Sequence, residues 1–135
     1  MKVWGIRSLG IAALCMGSFG LLSCGNDPRL VSIAVGPQNT TISGVDCTLS
    51  PCQPTIQFRA IGFYNHGGKA KDITNQVIWS TDAPTILQFQ SSPAGLLAPT
   101  GNGCGTNLGA IATVYENGTI ITGQGVVNVI VTGCP

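Results

Sequence analysis

The chain has 135 residues with 8% charged side chains and a formal net charge of +1, against about 25% charged in an average soluble domain. That balance excludes nucleic acid as a partner, because no basic stripe exists to neutralise phosphates. A disordered chain is excluded too, since 44% of the residues are hydrophobic.

Lys2 and Arg7 open the chain, and Ser8–Leu22 follows without a charge. A membrane-spanning helix needs about 20 apolar residues. This run is shorter and holds Gly10, Gly17 and Gly20, so it is predicted to be the apolar region of a secretory leader. It ends in Leu21-Leu22-Ser23-Cys24. A small residue before Cys, after two aliphatic ones, resembles the lipobox of bacterial lipoprotein leaders. The resemblance implies that residues 1–23 are a signal peptide, cut after Ser23, and that the Cys24 thiol receives a diacylglycerol. Cys15 fits poorly, because Leu14 stands where the small residue belongs. Two or three acyl chains anchor a protein where one chain does not. Gly25 rather than Asp follows Cys24, which in the enterobacterial pattern points to the outer membrane. The expected location is the bacterial cell envelope, with the membrane as a partner through the N-terminal lipid.

Residues 24–29 then form the lipidated N-terminus and a short tether, of which Gly25–Arg29 reaches roughly 17 Å when extended. Beyond the leader the chain keeps Arg29, Arg59, Lys69 and Lys71 against Asp27, Asp46, Asp72, Asp82 and Glu116, one acid in excess. The length allows a single domain of ordinary size, residues 30–135.

Short strands are predicted throughout that domain. Arg29–Val35 alternates Leu30, Ser32 and Ala34 with Val31, Ile33 and Val35, stops at Gly36-Pro37, and resumes over Thr40–Ile42. Thr55–Tyr64 is the longest alternation, with Ile56, Phe58 and Ala60 inward and Gln57 and Arg59 outward. Ile61 and Phe63 then fall on the outward parity, and a bulge at Gly62 is expected to re-aim the strand. Asn65-His66-Gly67-Gly68 reads as a turn. Gln76–Ser80, Thr85–Gln90 and Leu96–Ala98 are the next strands. Leu108–Glu116 and Thr119–Val131 make the last pair, joined at Asn117-Gly118, a strong hairpin signal. About seven short strands with no helical period fit an all-β, two-sheet sandwich.

Several of these segments together resemble a known family. They are Val31-Ser32-Ile33-Ala34-Val35 with Pro37, the run Ile56–Tyr64, Gly67-Gly68, Asp72-Ile73-Thr74, Val77–Pro84 and Gly95-Leu96. Their order is similar to that of group 2 bacterial Ig-like domains. The resemblance covers nearly all of the chain after Cys24 and is most specific in the middle third. It is looser over Gly101–Gly109, which is longer and richer in Gly than the family shows. It implies an Ig-like Greek-key β-sandwich of the kind used in surface proteins and adhesins, without enzymatic activity of its own. Trp79, flanked by Val77 and Ile78, is expected in the core. Asp72 and Thr74 are expected to fasten the loop before it.

Cys47, Cys52, Cys104 and Cys134 follow Cys24, and they allow three pairings. Cys47 and Cys52 flank Thr-Leu-Ser-Pro, a natural small disulfide loop. Cys104 and Cys134 bracket the final hairpin, in which partner numbers should sum to about 235. They miss that register by about three residues, an offset that a longer turn, or a bulge at Gly123-Gln124-Gly125, would absorb. Cys47–Cys52 with Cys104–Cys134 is therefore the expected pattern. Zinc needs converging thiolates, usually on two short knuckles, and export favours oxidation. Neither a metal nor another cofactor is expected.

Catalytic motifs are weak. His66 sits in a Gly-rich turn, no Gly-x-Ser-x-Gly elbow occurs, and Gly101–Gly105 lacks the Lys and Ser/Thr of a phosphate loop. The expected function is a non-catalytic, lipid-anchored module for binding, adhesion or structural spacing, with an unidentified protein or glycan ligand. Ile61 and Phe63 are candidate contact residues. The alternative is an envelope enzyme inhibitor or accessory subunit acting through an exposed loop such as Gly101–Gly109.

Overall fold

A computed structural model describes residues 27–131. The leader, Cys24 and Cys134 lie outside the described residues. Within them every element is a β-strand: β1 (Leu30–Gly36), β2 (Thr40–Ser43), β3 (Ile56–Gln57), β4 (Arg59–Tyr64), β5 (Lys71–Asp72), β6 (Ile78–Thr81), β7 (Leu87–Phe89), β8 (Leu96–Pro99), β9 (Gly105–Glu116) and β10 (Thr119–Ile130). The strands exceed the expected number because the long run from Thr55 divides at Phe58 and because β5 forms beside β4.

Two three-stranded sheets, β1-β4-β5 and β3-β8-β7, stand with a four-stranded sheet, β2-β10-β9-β6. β3 and β4 are consecutive, and Phe58 between them donates its N–H to the Gly95 carbonyl at 2.8 Å. The smaller sheets therefore make one layer of a β-sandwich, in the order β1, β4 with β3, β8, β7. Constant-type immunoglobulin sandwiches order their strands in this way. β1 and β2 belong to different layers: β1 pairs antiparallel with β4, and β2 pairs parallel with β10. Phe58, Ile42, Leu87, Leu97, Val127 and Val129 fill the space between the layers.

The final hairpin forms as expected from Asn117-Gly118. Asn117 has φ 50° and Gly118 φ 78°, the left-handed pair of a turn whose twist matches its strands. Register then runs without a slip from Thr119 opposite Glu116 to Val127 opposite Leu108.

Two expected bulges fall elsewhere. Gly123, Gln124 and Gly125 pair regularly with Ala112, Ile111 and Ala110, and the irregularity lies between Val127 and Val129. There Asn107 adopts φ 56°, and its N–H donates to Asn128 Oδ1 at 2.8 Å. Likewise β4 does not bend at Gly62; the shift lies in β1, between Leu30 and Ser32. In each case the glycine faces inward and makes room for a neighbour. Gly62 is buried, and a Cβ there would stand 2.9 Å from Ile73 Cδ1. Composition marks these glycines as special without saying that close approach, and not a bulge, is the reason.

Candidate functional site

Strand direction gives the sandwich two distinct ends. β1 starts at Leu30 opposite Tyr64 and finishes at Gly36 opposite Arg59. The Arg29 N–H donates to Asn65 Oδ1 at 2.8 Å, and the Asn65 N–H returns to the Arg29 carbonyl at 3.0 Å. The chain thus enters beside the Asn65–Gly68 turn. The Asn117-Gly118 turn shares this end, since Arg29, Leu30, Asn117 and Thr119 line one small depression. β2 and β10 run parallel toward the other end. There lie the Asp46–Gln53 loop and the segment that joins β8 to β9.

At this far end is an open cleft of about 720 Å³. One wall is the Cys47–Cys52 disulfide loop, with Cα atoms 4.1 Å apart. Asp46 and Gln53 close the loop with reciprocal backbone hydrogen bonds at 2.8 Å. The Thr48 N–H donates to Asp46 Oδ1 at 2.9 Å, and the hydrogen bonds from Thr48 hold the Asp46 carboxyl below its ordinary range. The loop rests against the opposite rim, where a Cβ on Gly101 would meet Cys47 Sγ at 2.6 Å.

The floor comes from β7 and β8. Gln88 and Ala98 are cross-strand partners, and both face away from the core, on the parity opposite to buried Leu87 and Leu97. Gln88 is exposed while Ala98 is only 1% exposed, so Gln88 from β7 and Pro99 from β8 furnish the floor. The Thr100 hydroxyl donates to the Thr85 carbonyl at 2.5 Å, and the Thr100 N–H donates to the Ile86 carbonyl at 2.9 Å. These bonds pin the rim to the start of β7.

The lining is uncharged: Leu49, Pro51, Gln88, Gln90, Thr100 and Asn102 contribute most of its character. Within the described residues the Gln88, Gln90 and Asn102 carboxamides make no side-chain hydrogen bond. A carboxamide both donates and accepts, so the cleft suits an uncharged ligand that alternates donors and acceptors. It holds no acid–base pair to move a proton.

The residues singled out from sequence lie mostly elsewhere. Phe58 and Ala60 are fully buried, while Ile56 and Trp79 are half-buried against the same core. Trp79 packs between rings, 5.0 Å from the Phe89 centroid and 6.4 Å from that of Phe58. Its Nε1–H donates to the Thr74 carbonyl at 3.0 Å. Thr74 is buried and accepts the Ala60 N–H on its hydroxyl at 3.0 Å. Asp72 Oδ1 in turn accepts the Thr74 hydroxyl at 2.6 Å and its N–H at 2.9 Å. Those two bonds, the hydroxyl one first, hold the Asp72 carboxyl below its ordinary range. Asp72 and Thr74 therefore tie β4, β5 and β6 together.

Ile61 and Phe63 face outward from β4, opposite Ala34 and Ser32, and the structure does not bring them to the cleft. Cys104 is disulfide-bonded. Within Gly101–Gly109, the part from Gly105 onward already belongs to β9, so only its first residues are loop. Gln88 and Gln90 were detectable in principle: Leu87-Gln88-Phe89-Gln90 alternates, which puts both amides on one face. Their juxtaposition with residues 47–52 and 100–102 had no local signal.

Among the described residues no group of three or more His, Cys, Asp or Glu side chains is placed to hold a metal ion. No known protein-family profile matches the chain, and no curated protein shows significant similarity to it.

Proposed function

We propose that this chain is a lipid-anchored module of the bacterial cell envelope, whose sandwich carries a binding cleft and performs no catalysis of its own. The observation that carries this reading is the placement of chain entry and cleft at opposite ends of the sandwich. With residues 1–23 removed and Cys24 acylated, the tether meets the entry end, and the cleft faces away from the bilayer. The outer membrane is the membrane that Gly25 favours. The strand order and the Asp72–Thr74–Trp79 arrangement support the resemblance to group 2 bacterial Ig-like domains. The cleft's free amides favour an uncharged ligand, a glycan or a neutral peptide stretch.

The test is binding of the acylated protein to arrays of envelope glycans and peptides. Loss of binding in Gln90→Ala/Asn102→Ala, with binding retained in Ile61→Ser, is the expected result. Binding that follows Ile61 and ignores the cleft contradicts the reading, and no binding at all reduces the domain to a spacer.

A further inference from the structure

We infer that the chain-entry end of the sandwich docks directly on the lipid surface, as an interfacial foot. This inference rests on the proposed acylation of Cys24. Cys24 precedes Asp27 by only about 10 Å of extended chain. The entry end is therefore held against the headgroups, and little room is left for a protein partner between domain and bilayer.

The surface of that end has interfacial character on both layers. On the β1–β4 face, Val31 is 54% and Phe63 43% exposed; on the β9–β10 face, Tyr115 is 66% and Ile120 61% exposed. Tyr115 and Ile120 are direct cross-strand partners, each two residues from the Asn117-Gly118 tip, which is about 7 Å of strand. Phe63 lies opposite Ser32, next to the Asn65 turn. Exposed aromatic and aliphatic side chains thus ring the end through which the chain arrives. Aromatic rings with a polar edge settle at the headgroup level of a bilayer, and partial apolar burial there strengthens with the area inserted.

The charges at this end balance. Arg29, Lys69 and Lys71 are three of the four basic residues beyond the leader, and all belong to this end. Lys71 Nζ stands 5.2 Å over the Tyr64 ring. Asp27, Asp72 and Glu116 share the end, and the bonds from Thr74 keep Asp72 ionised. Apolar insertion is thus the main attraction, with the three cations supplying contacts to phosphate and anionic headgroups. Phe63, a candidate ligand contact from sequence, then touches lipid.

The experiment uses the full chain, expressed and processed in a bacterial envelope and reconstituted into vesicles containing anionic lipid. Tyr115→Trp and Leu49→Trp place a reporter at the entry end and at the far end respectively, and lipids brominated near the headgroup quench what inserts. Trp79 supplies a common, half-buried background. Clear quenching of Tyr115→Trp, at the headgroup depth that aromatic rings favour, with Leu49→Trp unchanged, is the predicted result. Lys69→Glu/Lys71→Glu in the Tyr115→Trp background should reduce that quenching, and more so at low salt. Equal quenching of both reporters, or none in protein that floats with the vesicles, overturns the docking. Protein that fails to float overturns the Cys24 anchor instead, and the docking with it.

Discussion

Gly123 of β10 lies directly beneath Ile33 of β1: a Cβ on Gly123 would stand 2.9 Å from the Ile33 carbonyl carbon and 3.0 Å from its Cβ. The atoms in the way are backbone and Cβ, which no rotamer change can move. The first strand packs across the last through this gap, and Gly125 repeats the device two residues on, against Phe58 Cε1 at 2.9 Å. Gly123→Val should therefore cost about 3 kcal/mol or more, at the upper end of overpacking effects. Thr122→Val, which faces outward beside it, should stay within about 0.5 kcal/mol. Urea unfolding of both variants checks the contrast.

Trp79 joins two kinds of stabilisation. Its ring closes the Phe58–Phe89 cluster, and its indole N–H satisfies the Thr74 carbonyl at 3.0 Å. Trp79→Ala should lose about 3 kcal/mol, the low end of the range because the residue is half-buried. Trp79→Phe keeps most of the packing and should lose about 1 kcal/mol with the hydrogen bond. Equal effects of the two substitutions in thermal melts would assign everything to the hydrogen bond and nothing to the ring.

Cys47 and Cys52 close a small loop, for which the chain-entropy estimate is about 2 kcal/mol. Cys47→Ser/Cys52→Ser should lower stability by that amount and raise amide exchange over 46–53. The effect should extend to 100–102, because Gly101 leans on the Cys47 sulfur. Exchange confined to the loop itself would mean that the cleft wall is not held by the disulfide.

The Asp72 carboxyl is held below its ordinary value of 3.8 by the hydroxyl and N–H of Thr74. A carboxyl whose folded pKa is depressed adds stability that is complete above the unfolded value and is lost as pH falls through the folded one. Unfolding midpoints should thus drop as pH is lowered from about 5 to about 2, and Asp72→Asn should flatten part of that fall. Asp46, held low by Thr48, contributes in the same sense. An acid limb unchanged in Asp72→Asn would remove this group from the account.

How much of this was legible in the residues depends on the range of the interaction. Asn117-Gly118 marks its hairpin because the turn's left-handed backbone is a local demand, met by local residue types. The alternation of Ile56, Phe58 and Ala60 marks an inward face for the same reason. Gly62, Gly123 and Gly125 were visible only as irregularities, since what each accommodates is distant in sequence. β5 and the switch of β2 to a parallel partner left no trace in a two-residue or four-residue segment. The cleft was the least legible feature. It is assembled from the 47–52 loop, β7 and the 100–102 rim, and none of these carries a motif.

The claim that the sandwich is anchored through Cys24 is tested most directly by intact-mass and peptide mass spectrometry of the protein purified from an envelope fraction. The expected product is a chain beginning at Cys24 that carries diacylglycerol and an N-acyl group, with Cys47–Cys52 and Cys104–Cys134 oxidised. An uncleaved leader, or a chain with an unmodified Cys24 thiol, would contradict it.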